Sequence, residues 1–209
     1  MAKRDRKKEV KMRKLLLLIW FVFIIAFASF AIFLYKKKDT VKEDLNFTTK
    51  FSYQTNADPD INALVINYLA ALSRSDQATL QSCVTNPAQF DNMATVQSQA
   101  RVITGYGNIN CYTVQGLDEN SVVCFAVANI SIVNIDSKPL DMLGPYYIVK
   151  TNGQYLIDNS MLSQEVQDYM TKVCQDSDIQ ELYRIVKEDE EKCATEDPGF
   201  KEFLDKLNN

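Results

Sequence analysis

Residues 15–35, LLLLIWFVFIIAFASFAIFLY, form a run of twenty-one positions without a charge. In a helix rising about 1.5 Å per residue, the run reaches roughly 31 Å, the thickness of a bilayer hydrocarbon core. A secretory signal peptide has a shorter apolar region, about 7–15 residues. Ala26, Ala28 and Ala31 leave cleavage as an alternative, and no cysteine lies just after the run to carry a lipid. The run predicts one transmembrane helix. It begins at Leu15, carries Trp20, and ends at Tyr35, where an aromatic ring suits the membrane interface.

The flanks set its direction. Residues 1–14, MAKRDRKKEVKMRK, hold eight Lys or Arg and two acids. Beyond the run, Lys36, Lys37 and Lys38 soon meet Asp39, Glu43 and Asp44. The larger count of Lys and Arg near a span stays inside. The expectation is a cytoplasmic tail (1–14), a span (15–35) held in the lipid bilayer, and an extracytoplasmic remainder. The tail reads as a retention signal, with contact to anionic headgroups as the alternative.

Charge and composition remove several function classes. That tail holds eight of the chain's 23 bases and two of its 27 acids. Residues 36–209 therefore carry 15 bases against 25 acids. A nucleic-acid partner needs a basic surface that releases counterions from phosphates, so no nucleic acid is expected. Histidine is absent. This removes His-based hydrolase triads and most zinc sites. The chain has only six glycines, and none sits in a phosphate-binding motif. No cofactor and no metal site is expected.

Residues 36–57 lack sustained periodicity and read as a linker, with Phe47, Phe51 and Tyr53 as docking points. Asp58-Pro59 is a helix start, an N-cap followed by Pro. Ile61, Leu64, Val65, Tyr68, Leu69 and Leu72 then mark one helical face. A turn at Ser73–Asp76 leads to a second helix with Leu80, Cys83 and Val84 on one side, ended by Pro87. Residues 91–101 are a third helical piece. From Val102 the period changes to that of strands: 102–115, 121–135, 145–151 and 154–158, with a loop at Asp136–Pro139 and a hairpin turn at Asn152-Gly153. Helices return after Asp158. Ser177–Gln180 reads as a capping box and Asp197-Pro198 as a final helix start. The fold class is α+β, with a four-strand antiparallel sheet and C-terminal helices.

Two stretches carry a family resemblance. "NYLAALSRSDQATLQSCV" resembles the opening helices of the nuclear transport factor two-like superfamily, the cone-shaped fold shared with ketosteroid isomerase. "ITGYGNINCYTVQGLDENSVVCFAVANISIVNID", with "YYIVKTNGQYLIDN" after it, resembles extracytoplasmic domains of that fold in membrane-anchored proteins of Gram-positive bacteria. The resemblance covers residues 58–160, and the helical extension 161–209 fits the same bacterial group. It implies a curved sheet wrapped around the first helices. It implies no function, because the fold hosts enzymes, binding modules and scaffolds.

Candidate sites are few. Tyr68, Tyr146 and Tyr155 could line a pocket mouth; the alternative is ordinary strand and core residues. Ketosteroid-isomerase-like catalysis needs a carboxylate in an apolar pocket. Asp60, Asp76, Asp91, Asp118, Asp136 and Asp158 all fall at caps, turns or strand ends, so no catalytic residue is assigned. The run Glu188–Glu191 reads as a solvated helix face, since it lacks the pattern of a calcium loop. The glycosylation sequons at Asn46 and Asn129 matter only in a eukaryotic secretory pathway.

Cys111 and Cys124 flank the central hairpin. A turn centred on Leu117-Asp118 sets them directly opposite, within disulfide reach. A five-residue loop, Gly116–Asn120, sets them on opposite faces. Buried free thiols and a hairpin disulfide are both open readings, and the apolar neighbours disfavour metal binding or catalysis. Both faces of the central strands are apolar, which is unusual for an antiparallel sheet. The outer face therefore needs a cover, either the C-terminal helices or a homodimer partner.

The functional expectation is a membrane-anchored, non-enzymatic extracytoplasmic domain that binds a protein partner or a small ligand. The alternatives are a scaffold subunit of a secretion or conjugation assembly and a ketosteroid-isomerase-like pocket enzyme.

Overall fold

A computed structural model describes residues 53–208. The expected transmembrane segment with Leu15, Trp20 and Tyr35, the basic tail, Asn46, Phe47 and Phe51 lie outside these residues. Among the described residues no helix is long and apolar enough to cross a membrane.

Among the described residues the fold is α+β, with five antiparallel strands and six α-helices. Strand β1 (Gln54–Thr55) leads to helices α1 (Pro59–Arg74) and α2 (Gln77–Ser82). A 3-10 turn (Pro87–Phe90) and α3 (Ala94–Ala100) follow. Strands β2 (Ile103–Gln115), β3 (Ser121–Ile132), β4 (Leu140–Thr151) and β5 (Gln154–Ile157) form a meander in the order β1-β2-β3-β4-β5. Helices α4 (Gln164–Cys174), α5 (Ser177–Glu196) and α6 (Pro198–Asn208) complete the described chain.

Local chemistry explains the helix starts. The Asp58 carboxylate accepts from the N–H groups of Asp60 (2.9 Å) and Ile61 (3.3 Å), with Pro59 as first helical residue. Such a cap satisfies donors that the helix itself cannot. Asp76 does the same for α2 through Thr79. Asp197 caps α6 by accepting from Gly199 and Phe200. The start of α5 differs from expectation: Asp176 is its N-cap, accepting from Asp178, and Ser177 is already helical.

Four further differences have physical causes. Helix α2 stops at Ser82, because Val84 bridges Ile157 and Thr85 N–H donates to the Ile157 carbonyl. Cys83 is therefore a buried C-cap residue rather than part of a helical face. The linker contributes a fifth strand. Gln54 and Thr55 pair with Thr113 and Tyr112, and Asn56 exchanges hydrogen bonds with Cys111. Strand β4 starts at Leu140 rather than 145, running through Gly144-Pro145 as a bulge opposite Phe125.

Tyr53 docks as expected. Its hydroxyl donates to the Val173 carbonyl at 3.5 Å, and its ring packs on the outer cluster.

The sheet has two buried faces. The inner face (Cys111, Cys124, Ala126, Ile148) meets Ile61, Leu64, Val65 and Leu69 of α1. The outer face (Val114, Val123, Phe125, Tyr147) meets Val173 of α4 and Ile179 of α5. Of the two covers the apolar outer face could take, the C-terminal helices supply it.

Phe125 is 1 % exposed at the centre of that outer layer. Phe125→Ala should cost about 3–5 kcal/mol in urea unfolding, because transfer and cavity contributions add. Asp58→Ala should cost about 1 kcal/mol through the lost cap. A Phe125→Ala loss no larger than the cap loss would contradict this packing.

Candidate ligand-binding site

The inner face has a fully buried centre flanked by half-buried apolar side chains. Ile61, Leu64, Val65 and Leu69 of α1 cover that centre. Towards one end lies a group of half-buried apolar side chains: Tyr68 and Leu72 of α1, Phe90 of the 3-10 turn, Tyr106 and Ile109 of β2, and Leu143 and Tyr146 of β4. Each arrives by its element's period. Tyr68 continues the stripe of Ile61, Leu64 and Val65 at helical spacing. Tyr146 lies opposite Cys124, and Tyr106 opposite Ile130, on the alternation that faces α1.

The rings meet edge to face. Tyr68 and Tyr146 have centroids 5.8 Å apart at 77°, and Tyr68 and Phe90 6.4 Å apart at 66°. Gln99 of α3 donates to the Tyr106 hydroxyl at 3.4 Å. Burial pushes the Tyr68 phenol up to about 12, with the Cys83 thiol adding to it. Burial, then the nearby Asp141 charge, pushes Tyr106 up to about 12. Burial also raises Tyr146 well above its ordinary value. All three phenols are therefore neutral near pH 7. Each presents an apolar ring and a hydroxyl able to donate or accept.

Of the three tyrosines expected at a pocket mouth, the structure brings Tyr68 and Tyr146 together. Tyr155 is elsewhere. It lies within electrostatic range of Asp58 at the start of α1, and the Lys150 ammonium lies 4.9 Å from its ring centroid. Ten residues of α1 separate Asp58 from Tyr68, about 15 Å along the helix. Tyr106 takes the third place.

Asp141 is the residue that sequence reasoning missed. It lies opposite Ala128 on the inner face, half-buried, within electrostatic range of Tyr106 and Tyr146. Burial raises its carboxyl, against the Met142 N–H that it accepts; Glu190 adds to the rise and Lys187 opposes it. Lys187 itself is paired with Glu190 at 2.5 Å. Asp141 was hidden because Pro139 and Gly144-Pro145 make residues 136–144 look like a loop. The available clue was the length of β3: an apolar run reaching Ile132 needs a partner strand as long as itself.

The remaining acids have structural work. Thr85 donates to Asp158 at 2.7 Å, and Ser160 donates through both its N–H and its hydroxyl. Burial pushes the Asp158 carboxyl up, but these donors outweigh it and hold the group below its usual range. Within the run Glu188–Glu191, Glu188 pairs with Arg184, Glu190 with Lys187, and Asp189 accepts from the Leu140 N–H. The last bond caps an otherwise open edge of β4. A shallow depression of about 430 Å³ is lined by Asp136, Ser137, Glu196, Asp197 and Pro198. The Asp197 carboxylate there is taken up by the N–H groups of Ser137, Gly199 and Phe200. Among the described residues no cluster of His, Cys, Asp or Glu could hold a metal ion.

Cys111 and Cys124 follow neither expected register. Gly116 N–H donates to the Ser121 carbonyl, closing a four-residue loop, Leu117–Asn120. Cys111 then pairs with Ala126 and Cys124 with Thr113. The two cysteines are diagonal neighbours on the same face, both buried and both free thiols.

No family model, curated protein or solved structure matches the chain.

Asp141 gives a pH signature of known sign. A carboxyl raised in the folded state binds its proton more tightly there than in the unfolded chain. The associated stability is full below the unfolded value of about 3.9 and is lost as pH rises through the folded value. Asp141→Asn should therefore stabilise the protein at neutral pH, with the gain vanishing below about pH 3.9. Urea midpoints measured across that range check it; an Asn variant weaker at neutral pH would contradict it.

Proposed function

We propose that this chain is a single-pass membrane protein whose extracytoplasmic domain binds a small, partly apolar ligand without catalysing a reaction. In this reading the domain is a nuclear transport factor two-like cone, its curved sheet wrapped around α1, α2 and α3. Residues 15–35 and their basic flank support the anchor and its direction. The observation that carries the binding reading is the half-buried group of Tyr68, Tyr106 and Tyr146 on the inner face. Neutral phenols on apolar rings suit a ligand with a flat or aliphatic body and one or two polar groups.

A second reading, a pocket enzyme of the ketosteroid-isomerase type, gains from Asp141. A raised carboxyl beside two phenols is the combination that proton abstraction next to a carbonyl requires.

Two experiments test these readings. Protease added outside right-side-out cells should digest the domain and leave a membrane-protected tail; a protected domain would reverse the topology. An NMR screen of aromatic and aliphatic alcohols, ketones and amines against the nanodisc-held protein should shift the signals of Tyr68, Tyr106 and Tyr146. Tyr146→Ala should then weaken each hit about tenfold or more, the order of one lost buried ring with its hydrogen bond. Shifts confined to other surfaces would sink the binding reading. Asp141-dependent deuterium exchange into a ketone hit would move the assignment to the enzyme.

A further inference from the structure

Residues 85–92 run between two buried anchors, Val84 and Met93. Pro87, Ala88, Gln89, Asp91 and Asn92 are exposed. Phe90 is the one apolar side chain of the segment that reaches inward, and its ring meets Tyr68 edge to face. Thr85 fastens the start: its N–H donates to the Ile157 carbonyl at 3.0 Å and its hydroxyl to Asp158 at 2.7 Å. Beyond Thr85, every hydrogen bond from the segment to the rest of the domain has a side-chain amide on one side. Asn159 supplies most of them. It accepts from the Asn86 N–H at 2.8 Å, and donates to the Asn86 carbonyl at 3.0 Å and to Gln89 Oε1 at 3.2 Å. Its side chain continues, two residues further along each segment, the parallel bridge that Val84 and Ile157 make with their backbones. At the other end, Gln77 donates to the Phe90 carbonyl at 2.9 Å and Gln81 to Asp91 at 3.1 Å.

We propose that residues 85–92 are a strap that opens as one unit, that Asn159 is its latch, and that opening bares the ring of Tyr68. The two ends of the strap share one fate for a physical reason. A lone 3-10 turn has little stability of its own, because closing a turn fixes several residues for one bond. The bonds from Gln89 N–H to Asn86 and from Asp91 N–H to Ala88 therefore hold only while the segment is docked. The dock consists of one half-buried ring and a set of polar bonds that water can replace, and such bonds contribute little net stability. A segment with so few buried apolar contacts opens locally at far less cost than global unfolding.

Val84 and Met93 are 3 % and 8 % exposed, so they stay in the core and the opening stops at them. Lifting Phe90 takes away one of the two rings packed edge to face on Tyr68 and leaves the other, Tyr146. Where Tyr68 and Tyr146 hold a ligand, the strap is its way in. That use rests on the binding reading above, whereas the opening itself does not.

Hydrogen exchange resolved to single amides, on the full chain in nanodiscs, tests the unit. The informative amides are those that the substituted side chain does not touch. Asn159→Ala should speed exchange at Asp91 about tenfold, the order of one or two net hydrogen bonds. Gln77→Ala, at the opposite end, should speed exchange at Asn86. The amides of Val123–Ala128 on β3 should stay unchanged in both variants. Nitration of Tyr68 by tetranitromethane, read by peptide mass spectrometry, should rise in Asn159→Ala by the same factor as exchange at Asp91. Tyr147, buried in the outer layer, should not change. Acceleration confined to the amide whose own partner was removed would overturn the unit. Equal acceleration of the β3 amides would overturn it too, because the strap would then open only with the whole domain. Faster exchange at Asp91 with no gain in Tyr68 nitration would show that the opening does not bare the ring. These readouts need no ligand. An empty ligand screen therefore removes the binding reading and leaves the strap, and the overturning results above remove the strap and leave the binding reading.

Discussion

The burial of β3 on both faces is the constraint on which the rest of the structure depends. Val123 through Ala128 are all buried, and their side chains alternate between two different layers. A strand of that kind is stable only with a neighbour on each edge and a layer on each face. Strands β2 and β4 supply the edges. Helix α1 supplies the inner layer, and α4 with α5 the outer one. Each buried Val, Ile or Phe contributes about 1.5–3 kcal/mol on removal from water, so the two clusters dominate the favourable side of folding. The C-terminal helices are thus part of the domain, since without them Phe125 and Tyr147 would face water.

Much of this was legible in the residues. The Asp58-Pro59 start, the stripe on α1, the Asn152-Gly153 turn and the two apolar faces all rest on local chemistry or on period, and each stands where it was expected. The differences share a cause. The two-residue strand β1, the early end of α2 at Ser82 and the first half of β4 are decided by long-range pairing. A two-residue strand has no period to read. Leu140–Leu143 is bracketed by prolines, which mark loops in most settings. The cysteine register turned on the closing pair Gly116–Ser121, which leaves a four-residue loop instead of a turn centred on Leu117-Asp118 or the five-residue loop Gly116–Asn120.

The candidate site was legible in part for the same reason. Tyr68 lies on a helix with a clear stripe and Tyr146 on a strand with clear alternation, so both could be placed on the inner face. Tyr155 shares that alternation but sits on the short edge strand β5, at the far end of α1. Tyr106 lies just before the bulge of β2, where counting by twos fails. Asp141 depends on a strand that only the ladder with β3 creates. Tyr106 and Asp141 lie where the regular pattern breaks, and sequence periodicity is blind at those places.

The short strand β1 has a mechanical meaning. Any tension carried along the chain from upstream enters the described domain at Tyr53. Its first resistance is the Tyr53 ring on the outer cluster and its hydroxyl on Val173; the next is the pairing of residues 54–56 with β2. Those attachments lie ahead of Asp58, the cap that holds the start of α1. A pull would therefore peel the leading segment away before it loaded the helix.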